Sequence, residues 1–190
     1  MKHTNFLRTA VVTMLSLVII LIFSACSRNG DLSKTPDINQ PINMVSGEYQ
    51  FVVNSNNTVT ITKYTGDGGY IEIPATIDGK KVTAIGNMTF GAFQDCTTLV
   101  SVVIPEGIIS ILDNTFYSCS NLKTVTIPAS VTVIRHCAFA DCHNLKSIYF
   151  EGDAPATGNY LLDPPLPTIY YHEGTEGWTN PWYGCITETY

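Results

Sequence analysis

From Phe93 to Phe150 the chain reads FQDCTTLVSVVIPEGIISILDNT, then FYSCSNLKTVTIPASVTVIRHCA, then FADCHNLKSIYF. The three lines share one register, with a step of 23 residues (116 − 93, 139 − 116) between Phe93, Phe116 and Phe139. Cys96, Cys119 and Cys142 keep the same step, as do Leu99, Leu122 and Leu145, so each unit is Phe-x-x-Cys-x-x-Leu-x-x-Val/Ile. A unit of this size cannot bury its apolar side alone; stacking on its neighbours does so, and a period in this range marks a solenoid. The chain is therefore read as a mainly β solenoid.

One unit shows why. In Leu122-Lys-Thr-Val125-Thr-Ile127-Pro128, Val125 and Ile127 alternate with outward Thr124 and Thr126, the pattern of a strand with one buried face. Pro128 ends the ladder because it has no N–H to donate. The Phe-x-x-Cys-x-x-Leu arc has three-residue spacing with polar fillers, which suits a tight, 3₁₀-like turn. Stacked arcs predict an aromatic spine of phenylalanines through the core.

The pattern extends in both directions. Ile71-Glu-Ile73-Pro74 matches Val102-Val-Ile104-Pro105 and Val125-Thr-Ile127-Pro128, although the first step is 31 (104 − 73), leaving about eight extra residues around Asp78-Gly-Lys-Lys81. Ile148-Tyr-Phe150 is a fourth strand, with Glu151 where proline is expected. Ile169-Tyr-Tyr171 is a fifth, after a loop holding Pro155, Pro164, Pro165 and Pro167. Ile108/Ile111 and Val131/Ile134 supply a second apolar pair across each coil. Before the repeats, Tyr49-Gln-Phe51-Val-Val53 and Val59-Thr-Ile61-Thr alternate around an Asn-rich loop, a hairpin signal. This divides the chain into a hairpin cap at 47–70, repeats at 71–150, and a last coil with an irregular cap at 151–190, about four to five coils in all.

Residues 1–25 follow a different grammar. Lys2 and Arg8 precede an uncharged run, Thr9–Phe23, and then Ser24-Ala25-Cys26. This is a secretory signal pattern whose apolar run is short for a membrane span. The small pair before Cys26 resembles a bacterial lipoprotein signal, which implies that the Cys26 thiol carries a diacylglyceryl group and becomes the mature N-terminus. Residues 26–46, polar and broken by Pro36 and Pro41, read as a flexible tether of about 25 Å r.m.s. span. The reading places the protein in a bacterial cell envelope, exported and held by lipid at the outer face of a membrane.

Without the signal the chain keeps 8 basic residues (10 − 2) against 16 acidic ones, a net charge of −8. No basic cluster marks a nucleic-acid footprint. The cysteines at the shared repeat position face inward in a column, where neighbouring side chains run parallel and act as buried thiols rather than bridges. An exported compartment would permit a bridge between Cys137 and Cys185, but spacing leaves that pairing open.

The units Ala92-Phe93-x-x-Cys96-x-x-Leu99-x-x-Val102-x-Ile104-Pro105 and their successors resemble the BspA-like leucine-rich repeat of bacterial surface proteins. So do Ile73-Pro74-Ala-Thr-Ile77-Asp-Gly-Lys-Lys-Val82-Thr-Ala-Ile85-Gly86 and Thr168-Ile-Tyr-Tyr171 with Gly177-Trp178. The resemblance spans roughly 47–183. It implies a right-handed, horseshoe-like stack in proteins that are commonly exported, some of which bind host or neighbouring-cell macromolecules. Glu151 and His172 in place of proline, and the loop 163–167, depart from the pattern.

Catalytic and metal chemistry find little footing. The chain has no Gly-x-Ser-x-Gly elbow, phosphate loop or His-Glu-x-x-His, so no enzyme and no cofactor is expected. The run His136-Cys137…Cys142-His143 invites a zinc reading, but Cys142 belongs to the inward column and His143 to an outward position, so four ligands do not converge. The outward strand positions are more informative. One row is Glu72, Val103, Thr126, Tyr149 and Tyr170; the next is Tyr70, Ser101, Thr124 and Ser147; a third is Val100, Lys123 and Lys146. These hydroxyl, aromatic and lysine groups suit contact with a protein or glycan ligand. The expected function is recognition of another macromolecule, as in adhesion; the alternative is a structural envelope component that assembles with a sister protein. The Trp178, Trp182 and Tyr183 cluster is read first as packing that seals the last coil.

Overall fold

The structure, a computed structural model, describes residues 44–190. Signal, Cys26 and most of the tether lie outside the described residues. All regular elements among those residues are strands: β1 (Met44–Ser46), β2 (Tyr49–Val53), β3 (Val59–Tyr64), β4 (Gly69–Glu72), β5 (Thr76–Ile77), β6 (Lys80–Ile85) and β7 (Leu99–Val103). They continue as β8 (Ser110–Ile111), β9 (Thr124–Ile127), β10 (Val133–Ile134), β11 (Ser147–Phe150), β12 (Ala156–Thr157), β13 (Thr168–Tyr171) and β14 (Thr187–Thr189).

The strands form two sheets that share one core. The first is parallel throughout and runs β4-β7-β9-β11-β13-β14, while the second runs β1-β2-β3-β6-β8-β10-β12. The three coils that begin with β7, β9 and β11 each contribute that longer strand to the first sheet and a two-residue strand, β8, β10 or β12, to the second. A third side, the arc, holds no strand and is laddered by backbone bonds, Phe93 N to Thr115 O, Phe116 N to Ala138 O and Phe139 N to Leu161 O, at 2.8, 2.8 and 3.1 Å. The solenoid of the sequence reading is thus observed, coil over coil.

The files of like residues follow. Val102, Val125, Ile148 and Ile169 sit in direct register and are buried, facing Ile85, Ile111 and Ile134 from the other sheet. Phe93, Phe116 and Phe139 stack at centroid distances of 5.0 and 5.3 Å. Tyr64 of the hairpin continues the column at 4.9 Å from Phe93, and Tyr49 continues it at 5.4 Å from Tyr64. At the other end Leu162 takes the place of the next phenylalanine, since Phe139 bonds to the residue before it.

Each arc turns through consecutive three-residue bonds, Cys119 N to Phe116 O and Leu122 N to Cys119 O at 3.2 and 3.0 Å, with like bonds in the neighbouring arcs. Asp95, Ser118 and Asp141, at one repeat position, adopt left-handed φ of 60°, 60° and 58°. Small polar residues tolerate that conformation best, so these carboxylates recur for backbone reasons.

The cysteine column is inward and unbridged, and Cys137 and Cys185 are also free. Cys119 and Cys142 are more than apolar fillers: each thiol donates to the phenylalanine carbonyl of the preceding coil, Phe93 O at 3.1 Å and Phe116 O at 3.0 Å.

Three features depart from the sequence reading. Met44–Ser46, assigned to the tether by composition, forms β1 and pairs antiparallel with Tyr49–Phe51. The extra residues of the first coil form a hairpin, with β5 antiparallel to β6 around Asp78 and Gly79 at φ 48° and 73°. Positive φ at both central residues matches the twist of tight hairpins. A sixth strand, β14, adds to the first sheet and pairs Thr187, Glu188 and Thr189 with Ile169, Tyr170 and Tyr171.

Candidate functional site

The first sheet presents its outward side chains in rows that run across the strands, with each step about 4.8 Å. Register places Glu72, Val103, Thr126, Tyr149 and Tyr170 side by side, and Glu188 extends the row. The adjacent row is Tyr70, Ser101, Thr124 and Ser147, to which Thr168 is added. Every member of this second row carries a hydroxyl, and Ser101 and Thr124 share a hydrogen bond of 2.8 Å. Lys123 and Lys146 stand side by side just before β9 and β11, with Lys146 N donating to Lys123 O at 2.9 Å. Both lysines are exposed, as is Tyr70.

The tyrosine end of this face is built by residues that the repeat pattern singled out as irregular. Tyr149 and Tyr170 stack at 4.9 Å with planes 13° apart, and Tyr190 meets both edge-on at 5.5 and 6.5 Å. Glu151 and His172, the two departures from proline, pair at 2.7 Å. Tyr190 donates its hydroxyl to the other Glu151 oxygen at 3.1 Å and packs on the His172 ring at 4.4 Å. Glu151 also uses the N–H that a proline would lack, bonding to Ile127 O at 3.0 Å. Sequence reasoning missed Tyr190, Glu188 and Thr168, but the two broken prolines were the visible trace of this clasp.

Burial, helped by the Glu151 carboxylate, pushes the Tyr190 phenol from its ordinary 10.0 up to about 12. A raised folded value means that the folded state holds this proton more tightly than the unfolded one. The contribution is complete below pH 10, and it is lost as pH rises from 10 to about 12. The urea midpoint of the protein should therefore fall more steeply over that interval than that of Tyr190→Phe. Parallel pH profiles of the two would contradict the contact. Tyr49 is raised to about 12 as well, and the comparison cancels it.

The residues of the zinc reading lie apart. Cys142 is spent on Phe116 O, while His143 is exposed and 3.9 Å from Asp141. His136 meets the Tyr160 ring edge-on at 5.6 Å. Several carboxylates bond coil to coil instead of facing a cleft: Glu106 accepts from Ala129 N, Asp113 from His136 N, Asp153 from Glu176 N and Asp163 from Asp141 N. A cleft of about 350 Å³ between the hairpin and the first arc is lined by Gln50, Lys63, Tyr64, Phe90, Gln94 and Asp95, and no residue of the strand face contributes to it. At the C-terminal end Phe150, Tyr171, Trp178 and Trp182 pack within 4.8–5.6 Å of one another in successive pairs.

A stack of parallel coils with arcs, a long-strand face and files of Phe, Cys and Leu defines a leucine-rich-repeat solenoid. Residues 70–163 match the BspA type Leucine rich repeat region in six copies, so this part of the chain is a BspA-type leucine-rich-repeat region. Among solved structures, a leucine-rich-repeat protein of Bacteroides capillosus is 29% identical, with 71% of this chain and 99% of that one covered at a TM-score of 0.53. The Treponema pallidum leucine-rich-repeat protein is 22% identical, with 68% and 71% covered at a TM-score of 0.55, a likeness of fold. No curated protein matches the chain.

Proposed function

We propose that this is an exported protein, lipid-anchored through Cys26 in a bacterial envelope, whose work is non-covalent recognition of another macromolecule through its strand-lined face. The observation that carries the reading is the register itself. It gathers Tyr70, Glu72, Ser101, Val103, Thr124, Thr126, Ser147, Tyr149 and Tyr170 on one sheet, with Lys123 and Lys146 directly before two of its strands. The ordered rows are backed by a buried apolar core, and their geometry is held by backbone pairing on both sides of β7, β9 and β11. A rigid scaffold that presents polar and aromatic groups suits binding more than bond-making. The signal grammar of residues 1–26 supports the anchor, and the BspA-type repeat region supports a protein-interaction role.

The test is a binding screen of the purified protein against matrix proteins and glycans, repeated with Lys146→Ala and Tyr149→Ala. Affinity for any ligand found should fall about tenfold or more. Stability should move by only about 0.5 kcal/mol for the exposed lysine. Unchanged affinity in both variants would remove the face from consideration. Capture of a co-encoded partner alone would favour assembly with a sister protein. Cys26→Ser should release the protein from the membrane fraction; retention would sink the anchor.

A further inference from the structure

We infer that the ligand of the strand face is an acidic glycan, bound across β9 and β11 with a sugar carboxylate held between Lys123 and Lys146. The inference rests on the recognition role proposed for this face, and it names the chemistry of the partner.

The lysine pair is the first observation. The chain has only 10 Lys and Arg, yet two of them stand side by side in adjoining coils, one residue before β9 and β11. Like charges held side by side repel one another. No carboxylate relieves them: among the described residues both ion pairs involve histidines, His143 with Asp141 and His172 with Glu151. An anion bridging the two ammonium groups would remove that repulsion and add charge-assisted hydrogen bonds.

The distribution of acid on the same face limits how much negative charge the ligand carries. Glu72 on β4 and Glu188 on β14 close the row at its two ends. Each stands two strands from the nearer lysine, about 10 Å by strand spacing. That exceeds the screening length of about 8 Å at physiological ionic strength, so the lysines keep a local positive field within a chain of net negative charge. A polymer charged at every unit would run onto Glu72 or Glu188. Isolated carboxylates separated by neutral sugars fit.

The remaining groups suit a sugar better than a peptide. A peptide gains affinity on a sheet by pairing with an open edge or by seating apolar anchors in pockets. Here β7, β9 and β11 are paired on both sides, and apart from the exposed Val103 and half-buried Val100 their aliphatic side chains point into the core. What faces out between the lysines and Tyr149 is a line of hydroxyls, Ser101, Thr124 and Ser147, able to donate to and accept from sugar hydroxyls. One face of the Tyr149 ring is covered by Tyr170, whereas the other looks over the small Thr126. That free face, an apolar surface edged by a polar tip, can pack against the carbon skeleton of a pyranose.

The test uses a hyaluronan tetrasaccharide, in which uronic acid alternates with N-acetylglucosamine, and chitotetraose, which is N-acetylglucosamine alone. Titrated calorimetrically into the full-length protein in detergent, the first should bind about tenfold or more tighter than the second. Lys123→Gln/Lys146→Gln should erase that preference, and Tyr149→Ala should weaken both sugars, with denaturation midpoints close to wild type. Added salt should weaken the acidic ligand only. Equal affinity for the two sugars, or acidic-sugar binding indifferent to the lysine substitutions, would overturn the inference. Tetraglutamate bound as tightly, with the same lysine dependence, would overturn the sugar and leave the face as the recognition surface. The face itself falls if no ligand of the wider screen responds to any of these substitutions.

Discussion

Phe116→Ala should cost about 3–5 kcal/mol of unfolding free energy, the range for truncating a fully buried aromatic. Phe116 is 0% exposed and lies between two rings at 5.0 and 5.3 Å, so its removal empties the middle of the aromatic column. In a stack whose stability is a sum over coils and the interfaces between them, a middle position weakens two interfaces together. Collapse of the void is resisted because the arc backbone on either side is fixed by ladder bonds. Against a total of about 5–15 kcal/mol for a domain, such a loss leaves a marginal protein. Urea denaturation followed by circular dichroism measures it. A loss below about 1 kcal/mol would mean that the column does not form.

Gly91→Ala should be comparably damaging for the opposite reason, because matter is added where none fits. A Cβ built on Gly91 would coincide with the Asn114 carbonyl oxygen of the next coil. Backbone cannot swing aside as a side chain can, so the coils must part. We expect a loss of about 3 kcal/mol, at the upper end of overpacking effects. Gly47→Ala meets nothing within 4 Å, which makes it a control for steric crowding, although its φ of +57° adds backbone strain of its own. If Gly91→Ala proved no worse than Gly47→Ala, the close approach of the first two arcs would be disproved.

What could be read in advance was whatever repeated. Phe, Cys and Leu at one step declared the files, and the alternation of Val125 and Ile127 with Thr124 and Thr126 declared the strand and its two faces. The outward rows followed from the files, since one register fixes both. Features used once escaped. Thr187-Glu188-Thr189 has no apolar alternation, because the inward place of β14 is held by Thr187. Its pairing became possible only once β13 offered a free edge. Tyr190 owes its place to that strand, so the clasp over Tyr149 and Tyr170 was equally hidden. The thiol hydrogen bonds of Cys119 and Cys142 depend on a carbonyl one coil away, a three-dimensional fact that no local pattern records.

Thr187 has a meaning beyond closing a sheet. It terminates the file Val102, Val125, Ile148 and Ile169 with a hydroxyl that is already committed to Thr179 O at 3.2 Å. A second molecule docking head-to-tail would have to set Ile71, which begins the same file, against this hydroxyl instead of another aliphatic group. Open-ended filaments need each subunit to continue the previous one without a fault. A single polar rung at β14 interrupts that continuity, and so works against head-to-tail growth along this file.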